Sequence, residues 1–362
     1  MAAFGQRNGP VPERMRAAVY RGEGQVGIEE VPCPRIGPRE LLVRVGVCGI
    51  CNTDVKKITA DLLPPPRIYG HESAGTVVAA GAGVTRFRPG DRVIVFHHVP
   101  CGHCFYCRER IYAQCPTYKK VGVTAGFEPA GGGFSEYVRV MDWVVERGVE
   151  KIPDGVSFEE ASFVEPVNTC LKAVETAGVR RGEQVLVMGQ GPIGILFLLL
   201  ARMRGARVFV SDVFDRRLSR ASELGADAVF NAGEVDVPVA VRPLTEGRGA
   251  DLAILAAAVP ALVPASLDAV RPGGRVLLFA QTERAERVPL PTAAICMEEK
   301  RLLGSYSADI DLQAESARLV FERVLPVREL ITHRFPLAEI NQAIRLAANP
   351  RPDSLKIVVE CA

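Results

Sequence analysis

The chain has 362 residues, a length that exceeds one ordinary folding core and predicts two domains. Its hydrophobic fraction of 48% and charged fraction of 24% are typical of a globular protein in water, and 44 basic residues nearly balance 42 acidic ones. This balance gives no support for binding to nucleic acid or to a membrane surface. The sequence has neither a membrane-spanning apolar run nor the apolar centre of a signal peptide, so we expect a cytoplasmic protein.

The first part of the chain reads as short β-rich segments separated by glycine and proline. The patterned sequence begins at Met15, so we expect residues 1–14 to form a flexible tail, and the start of the protein at Met1 or at Met15 stays open. The segments predict a distorted, mostly antiparallel barrel with long loops: Arg16–Tyr20, Glu40–Val47, Gly75–Ala80, Arg92–Phe96 and Phe134–Val140.

The pattern changes at Phe158, where helical spacing begins to alternate with apolar strands. This alternation predicts an α/β domain with a parallel sheet that is covered on both faces. We expect Leu355–Glu360 to return to the first domain. The predicted helices are Phe158–Gly178, Gly191–Arg204, Arg216–Leu224 and Pro260–Val270, and the predicted strands are Gln184–Met188, Arg207–Ser211, Ala228–Phe230, Asp251–Ala257 and Gly274–Ala280.

Four closely spaced cysteines, in the pattern C-x2-C-x2-C-x7-C, predict a closed tetrahedral zinc site that shapes a loop and performs no chemistry. They are Cys101, Cys104, Cys107 and Cys115. The clustering favours reduced thiols in the cytosol over disulfides. We interpret five further cysteines as small buried apolar residues: Cys33, Cys48, Cys170, Cys296 and Cys361.

A dinucleotide signature follows a predicted strand and opens a predicted helix, as Gly189-Gln190-Gly191-Pro192-Ile193-Gly194. Its glycines permit a tight turn, and the helix N-terminus favours phosphate. The acidic residue Asp212 ends the next strand, where it can accept the ribose hydroxyls and repel a 2′-phosphate. We therefore expect NAD rather than NADP, although Arg216 or Arg217 could weaken that preference.

A second, open metal site is predicted from a thiol, an imidazole and carboxylates on separate loops. Cys51, His71, Glu72 and Glu165 offer these ligands. On its own, His71 reads more readily as a core histidine, and Glu165 as a helix cap.

The Gly70-His71-Glu72 signature, the cysteine lobe and the glycine turn, in this order, resemble the zinc-containing medium-chain alcohol dehydrogenases over residues 15–362. The Glu165-Pro166 pair is similar to the polyol branch, which includes sorbitol and threonine dehydrogenases. The resemblance implies a GroES-like, mostly antiparallel β-barrel catalytic domain and a Rossmann doubly wound parallel sheet. The implied domains are 15–167, 168–312 for NAD binding, and 313–362 as the return to the catalytic domain.

The resemblance also implies roles for the site residues. Cys51 and His71 would bind the catalytic zinc, while Glu72 and Glu165 would supply carboxylates that can exchange roles. Thr53 would take the substrate proton. Three further positions keep two interpretations each. Asp54 would orient His71 or be a loop carboxylate, and His97, in the pair His97-His98, would contact substrate or pack near the lobe. Lys56 stands where many members have a relay histidine; the proton would then leave by water, and Lys56 and Lys57 would either attract an anionic substrate or be solvated surface lysines.

The implied function is hydride transfer from a secondary alcohol, foremost a polyol or sugar alcohol, to NAD, with one catalytic and one structural zinc per chain. Alternatives are an L-threonine or other hydroxy-compound dehydrogenase and a non-catalytic relative that binds zinc and nucleotide. A zinc-ribbon nucleic-acid binder is contradicted by the balanced charge. The resemblance also implies a homodimer or homotetramer that pairs through Leu302–Tyr306.

Overall fold

The computed structural model describes residues 11–96, 99–118, 131–280 and 285–362. Most of the predicted tail and the pair His97-His98 lie outside the described residues. The strands are β1 (Arg14–Gly22), β2 (Gln25–Pro32), β3 (Leu41–Gly49), β4 (Arg67–Ile68), β5 (Glu72–Ala80), β6 (Arg92–Val95), β7 (Tyr137–Val140), β8 (Val149–Lys151), β9 (Gln184–Met188), β10 (Arg207–Asp212), β11 (Ala228–Asn231), β12 (Ala250–Leu255), β13 (Val270–Leu278), β14 (Arg301–Gly304), β15 (Ile331–Pro336) and β16 (Lys356–Glu360).

Helices connect or cover these strands, and none of those in the described part of the chain has the length and apolar character needed to cross a membrane. The helices are α1 (Asn52–Thr59), α2 (Phe105–Arg108), α3 (Asp142–Arg147), α4 (Phe158–Ala161), α5 (Val164–Ala177), α6 (Pro192–Met203), α7 (Asp215–Glu223), α8 (Val237–Val241), α9 (Leu262–Ala269), α10 (Thr292–Met297), α11 (Gln313–Phe321) and α12 (Ile340–Ala348).

The chain divides by its internal contacts into two units. The first comprises the described residues of Met1–Glu165, Asp309–Pro350 and Lys356–Ala362, and the second comprises those of Pro166–Ala308 with Arg351–Leu355. The predicted boundaries at 167 and 312 thus lie two to four residues later than the observed ones, and the predicted return 313–362 is interrupted. The interruption has a physical cause, because the Arg217 guanidinium donates a hydrogen bond of 2.9 Å to the carbonyl oxygen of Ser354.

The first unit contains two sheets. A three-stranded antiparallel sheet has the order β2-β1-β4. The larger sheet has the order β15-β16-β3-β5-β6-β8, with β7 also on β3. All its pairs are antiparallel except β15 with β16. Strand β3 is central because β5 lies along one side, while β16 and β7 share the other.

The second unit contains one parallel six-stranded sheet in the order β11-β10-β9-β12-β13-β14. This is the strand order of a Rossmann fold, with the reversal of direction between β9 and β12. Apolar side chains of β9, β10, β12 and β13 fill the core together with α8 and α9, including Leu186, Phe209, Ala253, Val276 and Val241.

The structure departs from the sequence predictions at several local points. Arg14 belongs to β1 rather than to a tail. The predicted helix Phe158–Gly178 is two helices, because Pro166 has no amide hydrogen and fits only the first turn of a new helix. Cys296 is exposed on α10, a helix with no buried residue, whereas Cys33, Cys48, Cys170 and Cys361 are buried.

Candidate active site and cysteine metal centre

Neighbouring strand ends build the candidate active site. Glu72 is the first residue of β5 and lies opposite Gly49, the last residue of β3. His71 directly precedes β5, and Cys51 follows β3 by two residues. The antiparallel register therefore brings three chemically different ligands to one end of the sheet.

A reciprocal cap fixes Cys51 at the start of α1. The Cys51 sulfur accepts a hydrogen bond of 3.5 Å from the Thr53 amide, and Oδ2 of Asp54 accepts one of 3.2 Å from the Cys51 amide. This capping box satisfies amides that the first helical turn would otherwise leave unpaired. The thiol is consequently held by backbone geometry before any metal binds.

Asp54 also holds the imidazole. Its Oδ1 lies 3.0 Å from His71 Nδ1 and accepts a 3.2 Å hydrogen bond from the Gly70 amide. Burial opposes the charges of both groups, but their mutual attraction outweighs it, so the pKa of Asp54 is lowered and that of His71 is raised well above its usual value. This orients the second ring nitrogen for a metal, which is the usual arrangement of a metal-binding histidine.

The ligand atoms of Cys51, His71 and Glu72 all lie within 4.8 Å of one another. His71 and Glu72 are buried, and Cys51 is partly exposed. A thiolate, an imidazole and a carboxylate suit zinc, and three protein ligands leave a fourth position for substrate or water. The residues therefore fit a catalytic zinc ion.

Glu165 lies outside that set of three but close to it, in the first turn of α5. Burial raises the pKa of its carboxyl to about 7, and the neighbouring His71 and Lys356 charges oppose that effect while Glu72 adds to it. Two carboxyl groups thus share one buried environment.

Lys356, the first residue of β16, is a site residue that the sequence reasoning missed. Its buried ammonium pairs with Oε2 of Glu72 and donates a 3.1 Å hydrogen bond to the Ile50 carbonyl. Burial acts to lower its pKa, but Glu72 and Cys51 outweigh burial and raise it. Gly49 makes this pair possible, because a Cβ there would lie 2.0 Å from Glu72 Oε2 and 2.8 Å from Lys356 Cε.

Helix α1 carries the remaining predicted residues. Thr53 is in its first turn, half-buried, and Lys56 is also half-buried in its last turn. The sequence gave no reason to assign Lys57 a different position from Lys56. In the structure the Lys57 ammonium lies 5.8 Å from the centre of the Tyr69 ring.

The four cysteines of the second candidate site also lie together, with all four sulfurs within 4.8 Å. The Cys104 and Cys107 sulfurs are 3.5 Å apart, and those of Cys101 and Cys107 are 3.8 Å apart. Zinc–sulfur bonds of about 2.3 Å place tetrahedral ligands about 3.8 Å apart. The set therefore fits a closed zinc site, and His103 is exposed beside it with Nδ1 2.9 Å from the Cys101 carbonyl.

The surrounding backbone prepares this lobe for metal. Burial acts to raise the pKa of Cys115, but amides of Cys101, Thr117 and Tyr118 outweigh burial and lower it to about 6. Asp311 ties the lobe to the rest of the first unit, because its Oδ2 accepts 2.8 Å hydrogen bonds from Arg110 and from the Tyr112 hydroxyl.

The glycine turn has the geometry of a phosphate-binding loop. Gly189 has a φ of 99°, and a Cβ at Gly194 would lie 1.8 Å from the Gly189 carbonyl oxygen. Gly191 is the N-cap of α6 and Pro192 its first residue, so the amides of Ile193 and Gly194 lie in the first helical turn. The turn therefore directs backbone donors and a helix N-terminus at one point.

Asp212 ends β10 beside this turn. Its carboxylate accepts a 2.6 Å hydrogen bond from the Gln190 amide and a 3.0 Å one from the Phe214 amide. The Arg217 guanidinium lies 3.9 Å from it and is also buried. Each carboxylate oxygen can accept a second hydrogen bond, so Asp212 can hold the turn and still receive ribose hydroxyls.

Comparison with known proteins matches both units. Residues 37–154 match the model of the alcohol dehydrogenase GroES-like domain, and residues 192–322 match that of the zinc-binding dehydrogenase. Sorbitol dehydrogenase of Bacillus subtilis is 30% identical and L-threonine 3-dehydrogenase of Symbiobacterium thermophilum 34%, each over 96% of this chain and 98% of the relative. A zinc-binding dehydrogenase from Sinorhizobium meliloti, solved with NADP, is 30% identical with a TM-score of 0.87, covering 96% of this chain and 100% of that one.

Replacing Asp54 with asparagine should weaken zinc binding at the open site, because an amide supports the imidazole less well than a carboxylate. We expect Asp54→Asn to lower zinc affinity by about 10- to 100-fold. Metal analysis after dialysis against graded chelator measures this as loss of one zinc ion per chain at a lower chelator concentration. Asp142→Asn, which removes a surface partner of Arg39, is the control and should retain zinc like the unchanged protein. Equal retention by both variants would contradict the role of Asp54.

Replacing Cys104 with serine should lower stability, because the closed site loses one of four ligands. A loss of about 2 kcal/mol would lower Tm by about 5 °C. Calorimetry on Cys104→Ser measures the shift, with the exposed Cys296→Ser as a control that should leave Tm unchanged. Unchanged Tm with loss of activity would show that the lobe is catalytic instead.

Proposed function

The chain belongs to the zinc-containing medium-chain alcohol dehydrogenases, in their polyol branch, and from this premise we propose that it oxidises a secondary alcohol to a ketone with NAD as hydride acceptor. The observation that carries the proposal is the buried set of Cys51, His71 and Glu72, with ligand atoms within 4.8 Å. The dinucleotide turn on the same chain would bind the hydride acceptor, and the closed cysteine site would stabilise the fold.

Zinc held by these ligands would supply a Lewis acid that lowers the pKa of the alcohol hydroxyl. Thr53, whose amide contacts the Cys51 sulfur, relays the proton: its Oγ1 accepts the proton released by the alcohol while its own hydroxyl proton passes on. Asp54 keeps the His71 ring oriented throughout. Lys56 is a poor proton carrier at neutral pH because the pKa of lysine is normally about 10.4, so water carries the proton onward.

The two carboxylates have different tasks. Glu72 belongs to the close ligand set and is fixed by Lys356, which supports Glu72 as the carboxylate ligand at rest. Glu165 shares the same buried environment but lies outside that set. It is therefore the carboxylate suited to exchange with Glu72 during turnover.

NAD(P) bound at the α6 N-terminus would supply the hydride acceptor. Asp212 supports NAD as the preferred cofactor, because a 2′-phosphate would meet a buried carboxylate. The nearby Arg217 also donates to the Ser354 carbonyl, which directs part of its guanidinium away from a nucleotide. A polyol or another secondary alcohol is the leading substrate class, and a 3-hydroxy amino acid is the second, since one relative is an L-threonine 3-dehydrogenase.

Turnover of an alcohol panel tests the proposal. The zinc-loaded protein should form NADH with at least one of several polyols, simple secondary alcohols and threonine, and should prefer NAD to NADP. Cys51→Ser and His71→Ala should reduce kcat/KM by at least about 1,000-fold while NAD still binds. Absorbance at the NADH band measures turnover, and calorimetry measures NAD binding. Full activity in either variant would overturn the assignment of the site.

We also propose a homo-oligomer that pairs along β14. This strand is at one edge of the six-stranded sheet and pairs with β13 on one side. Light scattering should give a mass of two or four chains, and Leu302→Pro should reduce it by removing a backbone donor from the outer side of β14, since the amides of alternate residues such as Ser305 face β13. A monomeric mass for the unchanged protein would refute the pairing.

A further inference from the structure

Lys57 lies on the side of α1 that faces the candidate chemistry. It is four residues after Thr53 and three after Asp54, so helical geometry places it beside both. Lys56 is also near Thr53, which is three residues before it. However, Lys56 is four residues after the exposed Asn52 and only two after the buried Asp54, so it does not lie beside Asp54. The two adjacent lysines therefore occupy different sides of one short helix.

The Lys57 ammonium lies within electrostatic reach of the candidate metal site. Its charge interacts with Asp54, Cys51 and Glu165, and it lies 5.8 Å from the centre of the buried Tyr69 ring. Lys57 is half-buried. Burial lowers the pKa of Lys57 more than the three acidic neighbours raise it, which means that the ammonium has lost part of its hydration at this position.

The second cation of the site is already committed to the protein. Lys356 pairs with Glu72 and donates to the Ile50 carbonyl. Lys57 has three N–H donors, so it can keep a protein acceptor and still donate to a ligand. An ammonium is a cation with hydrogen-bond donors only, so the ligands it favours are hydrogen-bond acceptors, above all anionic carboxylates and phosphates.

We propose that Lys57 binds an anionic group of the substrate, so that this site takes secondary alcohols that carry a carboxylate or a phosphate. The inference rests on the proposed function, which places the carbinol beside Thr53. Side chains four residues apart on a helix have Cβ atoms about 5–6 Å apart. The anionic group therefore lies a few bonds from the carbinol carbon, as in a 3-hydroxy acid or a polyol phosphate.

Matched substrate pairs test this directly. 3-Hydroxybutanoate differs from 1,3-butanediol by its carboxylate, and glycerol 3-phosphate differs from glycerol by its phosphate. Lys57→Met should lower kcat/KM for the preferred anionic member by about 10- to 100-fold, mainly through KM, and change that of its neutral partner by less than about twofold. Which pair responds identifies carboxylate or phosphate as the source.

Companion variants separate charge from structure. Lys57→Arg should retain most of the preference for the anion, and Lys56→Met, which removes the same charge one residue away, should retain it fully. If circular dichroism shows that Lys57→Met is unfolded, Lys57→Gln replaces it. Equal losses for anionic and neutral substrates in a folded variant would overturn the proposal, as would an unchanged ratio.

Binding without turnover distinguishes this inference from the proposed function. Butanoate carries the carboxylate but no hydroxyl, and calorimetry on the zinc- and NAD-loaded protein should show binding that weakens about tenfold or more in Lys57→Met. Inorganic phosphate serves as the second probe. Lys57-dependent binding with no oxidation of any alcohol would refute the proposed function alone, whereas oxidation of neutral alcohols with no Lys57-dependent anion binding would refute the inference alone.

Discussion

A buried ion pair across a glycine is the constraint on which the candidate active site depends. Lys356 and Glu72 come from strands on opposite sides of β3, and they meet over Gly49, where no side chain could fit. Removing one partner of such a pair leaves a buried charge uncompensated, which typically costs about 3–5 kcal/mol. The carboxylate offered to a metal is thus positioned by long-range strand pairing, and a local loop alone could not hold it.

Asp54 performs a similar function over a shorter range. One carboxylate receives the Cys51 amide, the Gly70 amide and the His71 ring, so it joins the helix cap to the segment before β5. The cysteine lobe shows the opposite strategy. Its four ligands lie within fifteen residues, backbone amides surround the Cys115 sulfur, and Asp311 fastens the finished lobe. One candidate metal site is therefore assembled by long-range strand pairing, and the other is assembled largely within its own loop.

This difference explains what the sequence could predict. The cysteine spacing, the Gly189–Gly194 turn and most strands of the parallel sheet depend on local patterns, and they were predictable from those patterns. Lys356 was not, because a single lysine near a C-terminal strand carries no signal until β16 is placed beside β3. The different positions of Lys56 and Lys57 relative to Asp54 could not be predicted before the bounds of α1 were known. The break before α5 was readable in principle from Pro166, but the apolar spacing on both sides suggested one continuous helix.

The position of β16 has a consequence for how the protein is made. The six-stranded sheet uses one continuous stretch, from Gln184 to Gly304, and can form as soon as that stretch leaves the ribosome. The sheet that holds Glu72 cannot, since β16 is translated only after that entire stretch. Until then the Glu72 carboxylate lacks its cation, and the Gly49 end of β3 is paired with β5 but lacks its second neighbour, β16. The part of the active site encoded first is therefore completed last, and zinc added during synthesis would meet a ligand set without its supporting lysine.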